Sequence, residues 1–214
     1  MTYLIRLKSL YFCIFGAMGI LFPIIPLFYE SLSFSKTKIG VLTAIPPVTS
    51  TIFGPLWSIL FDATQTHDLG TILAHIVQGL LTGSALYMKK FQAMVAIVLL
   101  SSVFRAPVSA QIDSHTIGRM KSKYGEVRLY GAISYGLLSF AGGTITGADA
   151  SHFDAVFFIF MLFTLFSGFA LLTVDLSSTA KERSPSDISP FTALRSSLGT
   201  LSVMCFLVVM VMAG

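Results

Sequence analysis

The stretch YGEVRLYGAISYG, residues 124–136, opens with two charges, Glu126 and Arg128, and then enters a run that stays uncharged until Asp149. A bilayer's hydrocarbon core takes about 20 mainly apolar residues of helix, and 129–148 supplies such a run with an arginine on its threshold. Tyr135 stands about two turns further in. Ala132, Gly136, Ser139, Gly143 and Gly147 recur along the same run at spacings of three and four. That spacing puts small residues on one helical face, where a second helix can approach the backbone closely.

The rest of the chain has the same character. Of its 214 residues 54% are hydrophobic and only 11% charged, with a mean hydropathy of +0.81. A soluble domain carries roughly a quarter charged residues, so this chain has too little polar surface to cover itself in water. It reads as an integral membrane protein. The net charge of +4 does not indicate nucleic acid, because the basic residues fall in short clusters between apolar runs. Cys13 and Cys205 both lie inside apolar stretches and read as inert thiols. There is no asparagine, hence no N-glycosylation acceptor.

Six apolar runs are long enough to span: 9–29, 39–61, 69–88, 91–111, 129–148 and 153–174. The first is too long for a signal peptide and lacks a small-residue cleavage site. A seventh run starts near 198 and reaches Gly214 with too few residues to cross. The expected fold is therefore an all-α, multi-pass transmembrane bundle. Residues 1–174 form a six-helix half, 175–197 a polar, proline-bearing linker, and 198–214 an incomplete seventh helix. Placing the N-terminus in the cytoplasm puts Arg6, Lys8, Arg119, Lys121, Lys123, Arg128, Lys181, Arg183 and Arg195 inside, and Lys36, Lys38, Lys89 and Lys90 outside. That distribution favours this orientation, with the plasma membrane as the default location. Six helices followed by a linker and a new helix suggest the first half of a six-plus-six protein.

Arg105 belongs to neither side. It lies 15 residues past Lys90, ~22 Å along the fourth run at 1.5 Å per residue, where a charge needs a cavity, a partner or a path to the interface. Binding a solute, joining an intramembrane ion pair and snorkelling to the headgroups are all open to it. Asp62 and Asp113 close the second and fourth runs, as gate or coupling groups or as solvated boundary carboxylates. Thr71, His75, Gln78 and Thr82 share one face of the third run. There His75 can carry protons, or the stripe can bond to a neighbouring helix, which is the commoner use. Pro46, Pro47 and Pro55 in the second run free backbone groups and permit a bend.

No phosphate-cradling loop, catalytic triad order or metal-ligand cluster is present, so an enzyme, a cofactor and a metal are not expected.

Three pieces carry a family resemblance: GAMGILFPIIPLFYESLSFSKTKIGVLTAIPPV (16–48), GPLWSILFD (54–62) and RAPVSAQIDSHTIGRMKSKYGEVRLYGAISYG (105–136). Together they resemble the N-terminal half of the major facilitator superfamily, in its branch near the lactose-permease-like, "MFS-associated domain" transporters. The third piece aligns without a gap from Ala106–Pro107 to Gly131. The resemblance implies that Arg128 binds the solute and that Tyr135 stacks on it. The family's fourth-helix carboxylate falls on Ala110, which argues against a galactoside. The loop after Asp62 lacks the superfamily's basic residues.

The resemblance implies secondary transport of a small organic solute, sugar-like or acidic, by alternating access, with protons a candidate coupling ion. Substrate contacts are expected at Arg128, Tyr135 and Arg105, and coupling or gating at Asp113, Asp62 and His75. A missing second half, or a second copy, would be needed to complete the path. Two other classes stay open: a truncated, non-transporting receptor or assembly partner, and a half-size carrier working as a dimer.

Overall fold

The computed structural model describes residues 2–147 and 150–174. The expected linker and seventh helix, with Cys205 and Asp149, lie outside these residues. The described chain is helical throughout: α1 (Thr2–Leu21), α2 (Ile25–Ser31), α3 (Lys36–Thr64), α4 (His67–Ser84), α5 (Phe91–Met120), α6 (Tyr124–Thr146) and α7 (Phe153–Leu171). Five segments are long and apolar enough to cross a membrane. One of them, Phe91–Thr146, is α5 and α6 run together through the single 3₁₀ turn Lys121–Lys123.

Helices outlast the apolar runs. α1 begins at Thr2 rather than at residue 9, and α5 passes Asp113 to end at Met120. The expected loop over 112–128 shrinks to one turn. An apolar run measures the hydrocarbon slab, whereas a helix continues as long as its hydrogen bonds and side-chain contacts hold. Here the polar ends hold each other. The Tyr3 hydroxyl meets His115 Nε2 at 2.5 Å, Lys8 pairs with Glu126 at 2.5 Å, and Arg6 donates to the Thr173 carbonyl at 3.3 Å. The end of the bundle where α1 starts is called the near end below.

α1 packs along α6 and α7, α5 packs along α3 and α4, and α4 closes the ring against α7. The α1–α6 contact is close because glycines line it. A Cβ on Gly19 would lie 2.5 Å from the Tyr135 carbonyl oxygen, and one on Gly142 would lie 2.7 Å from that of Ile20. The packed face of α6 is thus Val127, Gly131, Ser134, Gly142 and Thr146. Only Ser139 of the stripe read from the sequence touches α1, donating to the Gly19 carbonyl at 3.1 Å. A Cβ added at Gly136 or Gly143 would point into open space.

Prolines interrupt the ladders, and neighbouring helices answer. Pro23 has no N–H for the Gly19 carbonyl, which Ser139 supplies from α6. Pro107 likewise leaves the Val103 carbonyl of α5 open, and the Trp57 indole N–H of α3 donates to it at 2.8 Å. α1 breaks after Leu21 and resumes as α2 at Ile25, whereas α3 stays helical through Pro46, Pro47 and Pro55.

Candidate functional site

Arg128 sits in the first turns of α6, at the near end, with its side chain 52% exposed. Its Nη1 donates to Asp113 Oδ2 of α5 at 3.4 Å and to the Tyr124 hydroxyl one turn earlier on its own helix. The other carboxylate oxygen of Asp113 accepts from the Tyr11 hydroxyl of α1 at 2.6 Å. Tyr11 is fully buried, stacked on Phe15 with ring centroids 5.7 Å apart. A buried hydroxyl therefore holds one oxygen of Asp113 in place, while the other faces a guanidinium with donors to spare. The arrangement offers donors and an acceptor side by side on a partly exposed face of the bundle.

Tyr135 follows Arg128 by seven residues, which returns it to nearly the same helical face. Ala132 lies between them, and all three are exposed. The backbone of Tyr135 is fixed by its contact with Gly19, so its ring is carried on the most tightly packed helix pair.

Arg105 does not join this group. It is the midpoint of α5 and lines a cavity of about 260 Å³, bounded by α1–α2, α3, α4, α5 and α7. Its guanidinium lies 4.5 Å from the centroid of the Phe22 ring. Among the described residues it forms no ion pair and no hydrogen bond. Its side chain stays against Phe22 at the cavity.

His75 is buried between α4 and α7. The Ser167 hydroxyl donates to the Thr164 carbonyl at 2.9 Å, so His75 Nε2–H donates to Ser167 Oγ at 2.7 Å. Nδ1 has no hydrogen-bond partner among the described residues, nor has Thr71 Oγ1 beside it on the same face. The upper half of that stripe, Gln78 and Thr82, opens into the Arg105 cavity. Asp62, 72% exposed, lies 3.4 Å from His67 Nε2 across the α3–α4 turn. The six residues singled out in the sequence thus separate into four places, and only Arg128 and Asp113 touch.

Tyr11 and Tyr124, which orient that pair, carry no sequence signal of their own. Trp57, inside the quoted GPLWSILFD, is placed by Pro107, and the two could have been connected only through the fold.

No solved structure matches this chain. Over 180 residues it is 31% identical to a "Maltose permease" of Geobacillus stearothermophilus, covering 82% of this chain and 43% of that protein. It is 23% identical over 144 residues to "Uncharacterized transporter YwbF" of Bacillus subtilis (strain 168), covering 65% of this chain and 36% of that one. The chain spans less than half the length of the curated relatives it matches. The family described as the MFS_1 like family matches residues 4–214. The apolar helices and this match agree: the chain belongs to the MFS_1 like family, and is the N-terminal region of a major facilitator superfamily transporter.

Proposed function

We propose that the protein moves a small hydroxyl-rich solute across the membrane by alternating access, and that Arg128, Asp113 and Tyr135 contact it. The observation that carries this is the half-exposed Arg128–Asp113 pair, in which a bidentate donor and a pinned acceptor stand 3.4 Å apart. A sugar hydroxyl needs both, and an aromatic face one to two turns along the same helix adds a stacking surface. Asp113 lies three residues (~4.5 Å) beyond the position where the lactose-permease-like pattern carries its carboxylate, which lets it complete the site that Ala110 leaves open. The name of one relative, "Maltose permease", points to the same solute class.

In this reading a second helical bundle supplies the opposite wall of the path. The N-terminus is cytoplasmic and the membrane is the plasma membrane. Protons are the candidate coupling ion, with Asp113 the candidate coupling group. Asp62, with His67, serves as a gate contact at the α3–α4 turn, and His75 as a hydrogen-bonded tie between α4 and α7.

The test is uptake into proteoliposomes of labelled maltose, other small sugars and organic acids. Arg128→Ala should lower uptake of the transported solute at least tenfold, since hydrogen bonds to charged groups contribute about 1.5–3 kcal/mol, and Tyr135→Ala, which removes a stacking face worth about 0.5–1.5 kcal/mol, should lower it roughly two- to tenfold. Unchanged uptake in both variants overturns the assignment.

A further inference from the structure

The cavity at Arg105 is separate from the Arg128 group and carries its own chemistry. Its polar side chains come from four helices, with Tyr29 of α2 and Thr43 of α3 beside those of α4 and α5. Arg105, Ser101 and Ser102 project from α5, and Gln78 and Thr82 from α4. Both serine hydroxyls already donate to the Val98 carbonyl, at 3.0 and 2.6 Å. The Thr43 hydroxyl is likewise used within its own helix, so the donors left for an occupant are the guanidinium, the Gln78 amide and the Tyr29 and Thr82 hydroxyls. Gln78 is 6% exposed and makes no hydrogen bond among the described residues. Among the described residues no carboxylate lines the cavity.

Such a site is electrostatically incomplete. A guanidinium at mid-helix in a spanning bundle is costly by several kcal/mol, while the Phe22 ring face returns about 0.5–2 kcal/mol. A neutral occupant leaves the shortfall as it is, a cation deepens it, and an oxyanion removes it through charge-assisted, two-pronged bonding. The remaining wall is apolar, including Phe22, Phe28, Leu42 and Phe157. The volume of about 260 Å³ is near the lower limit of small-molecule sites, about 300 Å³, so the occupant is small. The cavity also abuts the break between α1 and α2 and the proline-interrupted stretch of α3, and spanning helices broken near mid-membrane commonly border ligand sites.

We propose that this cavity binds an oxyanion carried on a small apolar body, with the anion held by Arg105 and Gln78 and the body against Phe22, Phe28 and Phe157. The anion is either a free organic acid or the head of an anionic lipid reaching in from the bilayer.

The experiment is equilibrium binding of labelled benzoate, with benzyl alcohol as its neutral counterpart. It uses the protein from its complete reading frame in phosphatidylcholine nanodiscs. Benzoate should bind at least tenfold more tightly than benzyl alcohol, and Arg105→Gln should lose at least tenfold of benzoate affinity. Without ligand, Arg105→Gln should melt no lower than the wild type, because it removes an unpaired charge. An arginine with a structural ion partner would melt lower when removed. If Arg105→Gln does not fold, Gln78→Leu on the other helix carries the test, with an expected loss of at least threefold. Repeating the measurement with phosphatidylglycerol separates the two sources. Loss of benzoate binding there assigns the site to a lipid head, and undiminished binding assigns it to a free acid. Equal binding of benzoate and benzyl alcohol, no benzoate binding in either lipid, or full binding in the folded variants overturns the proposal. Because the readout is binding and not uptake, its failure leaves the Arg128 assignment standing.

Discussion

Replacing Trp57 with phenylalanine keeps a ring between Phe61 and Phe104, whose centroids lie 5.3 and 5.8 Å away, but removes the N–H that reaches the Val103 carbonyl. That carbonyl is open only because Pro107 cannot donate to it. Leaving a buried acceptor unsatisfied costs about 1–3 kcal/mol, while side-chain hydrogen bonds inside membrane proteins average ~0.6 kcal/mol in double-mutant cycles. Trp57 is only partly buried, so ~1 kcal/mol is the expected loss of stability for Trp57→Phe. In a Pro107→Ala background the new N–H reaches Val103 from within the helix, and the same Trp57→Phe change should cost only the lost ring area. The quantity to measure is the coupling energy of the cycle, from unfolding followed by circular dichroism in detergent. A coupling of about 0.5–1 kcal/mol is expected. Equal costs of Trp57→Phe in both backgrounds would refute the claim that the indole answers the proline.

Gly19→Ala should destabilise by about 1–3 kcal/mol, since its Cβ would press on the Tyr135 backbone and α1 and α6 would have to part. Gly143→Ala, on the open side of α6, should be neutral or stabilising by up to ~1 kcal/mol; thermal melts of the two variants compare them directly. Ser139→Ala should lower the melting temperature in the native background and do so less with Pro23→Ala, repeating the Trp57–Pro107 logic at a second proline. Tyr11→Phe should leave the bundle folded yet loosen Asp113, and should weaken solute affinity measurably in the uptake assay.

How the fold was legible is best seen in α6. Its existence and approximate bounds follow from the uncharged run after Arg128, because the hydrocarbon core imposes a length on any apolar helix. Its rotation does not follow. The face with Ala132, Gly136 and Gly143 and the face with Gly131, Ser134 and Gly142 are both rich in small residues. Only α1, more than a hundred residues earlier, decides which is buried, through Gly16 and Gly19. The helix ends were underestimated for a related reason. Tyr3 with His115 and Lys8 with Glu126 are long-range partners that extend helices into polar sequence.

The candidate site divides along the same line. Arg128 and Tyr135 were accessible through resemblance and a seven-residue spacing on one helix. Asp113 could be placed only at the end of an apolar run, which is not where α5 ends, and its bonds to Tyr11 and Arg128 join three helices and have no local signature. Arg105 stood out because a charge amid apolar residues is costly wherever it points. That it points into a cavity with Gln78, rather than toward Asp113, depends on packing.

The most direct test of the central claim is chemical access to the face that runs from Arg128 to Tyr135. In a cysteine-free background, Ala132→Cys should react readily with N-ethylmaleimide, because residue 132 is exposed. The account predicts that the solute identified by the uptake panel slows this reaction at saturation, while Ile133→Cys, one position round the helix, reacts at an unchanged rate. Unchanged labelling of Ala132→Cys in the presence of a transported solute would contradict it, and would move the solute away from Arg128.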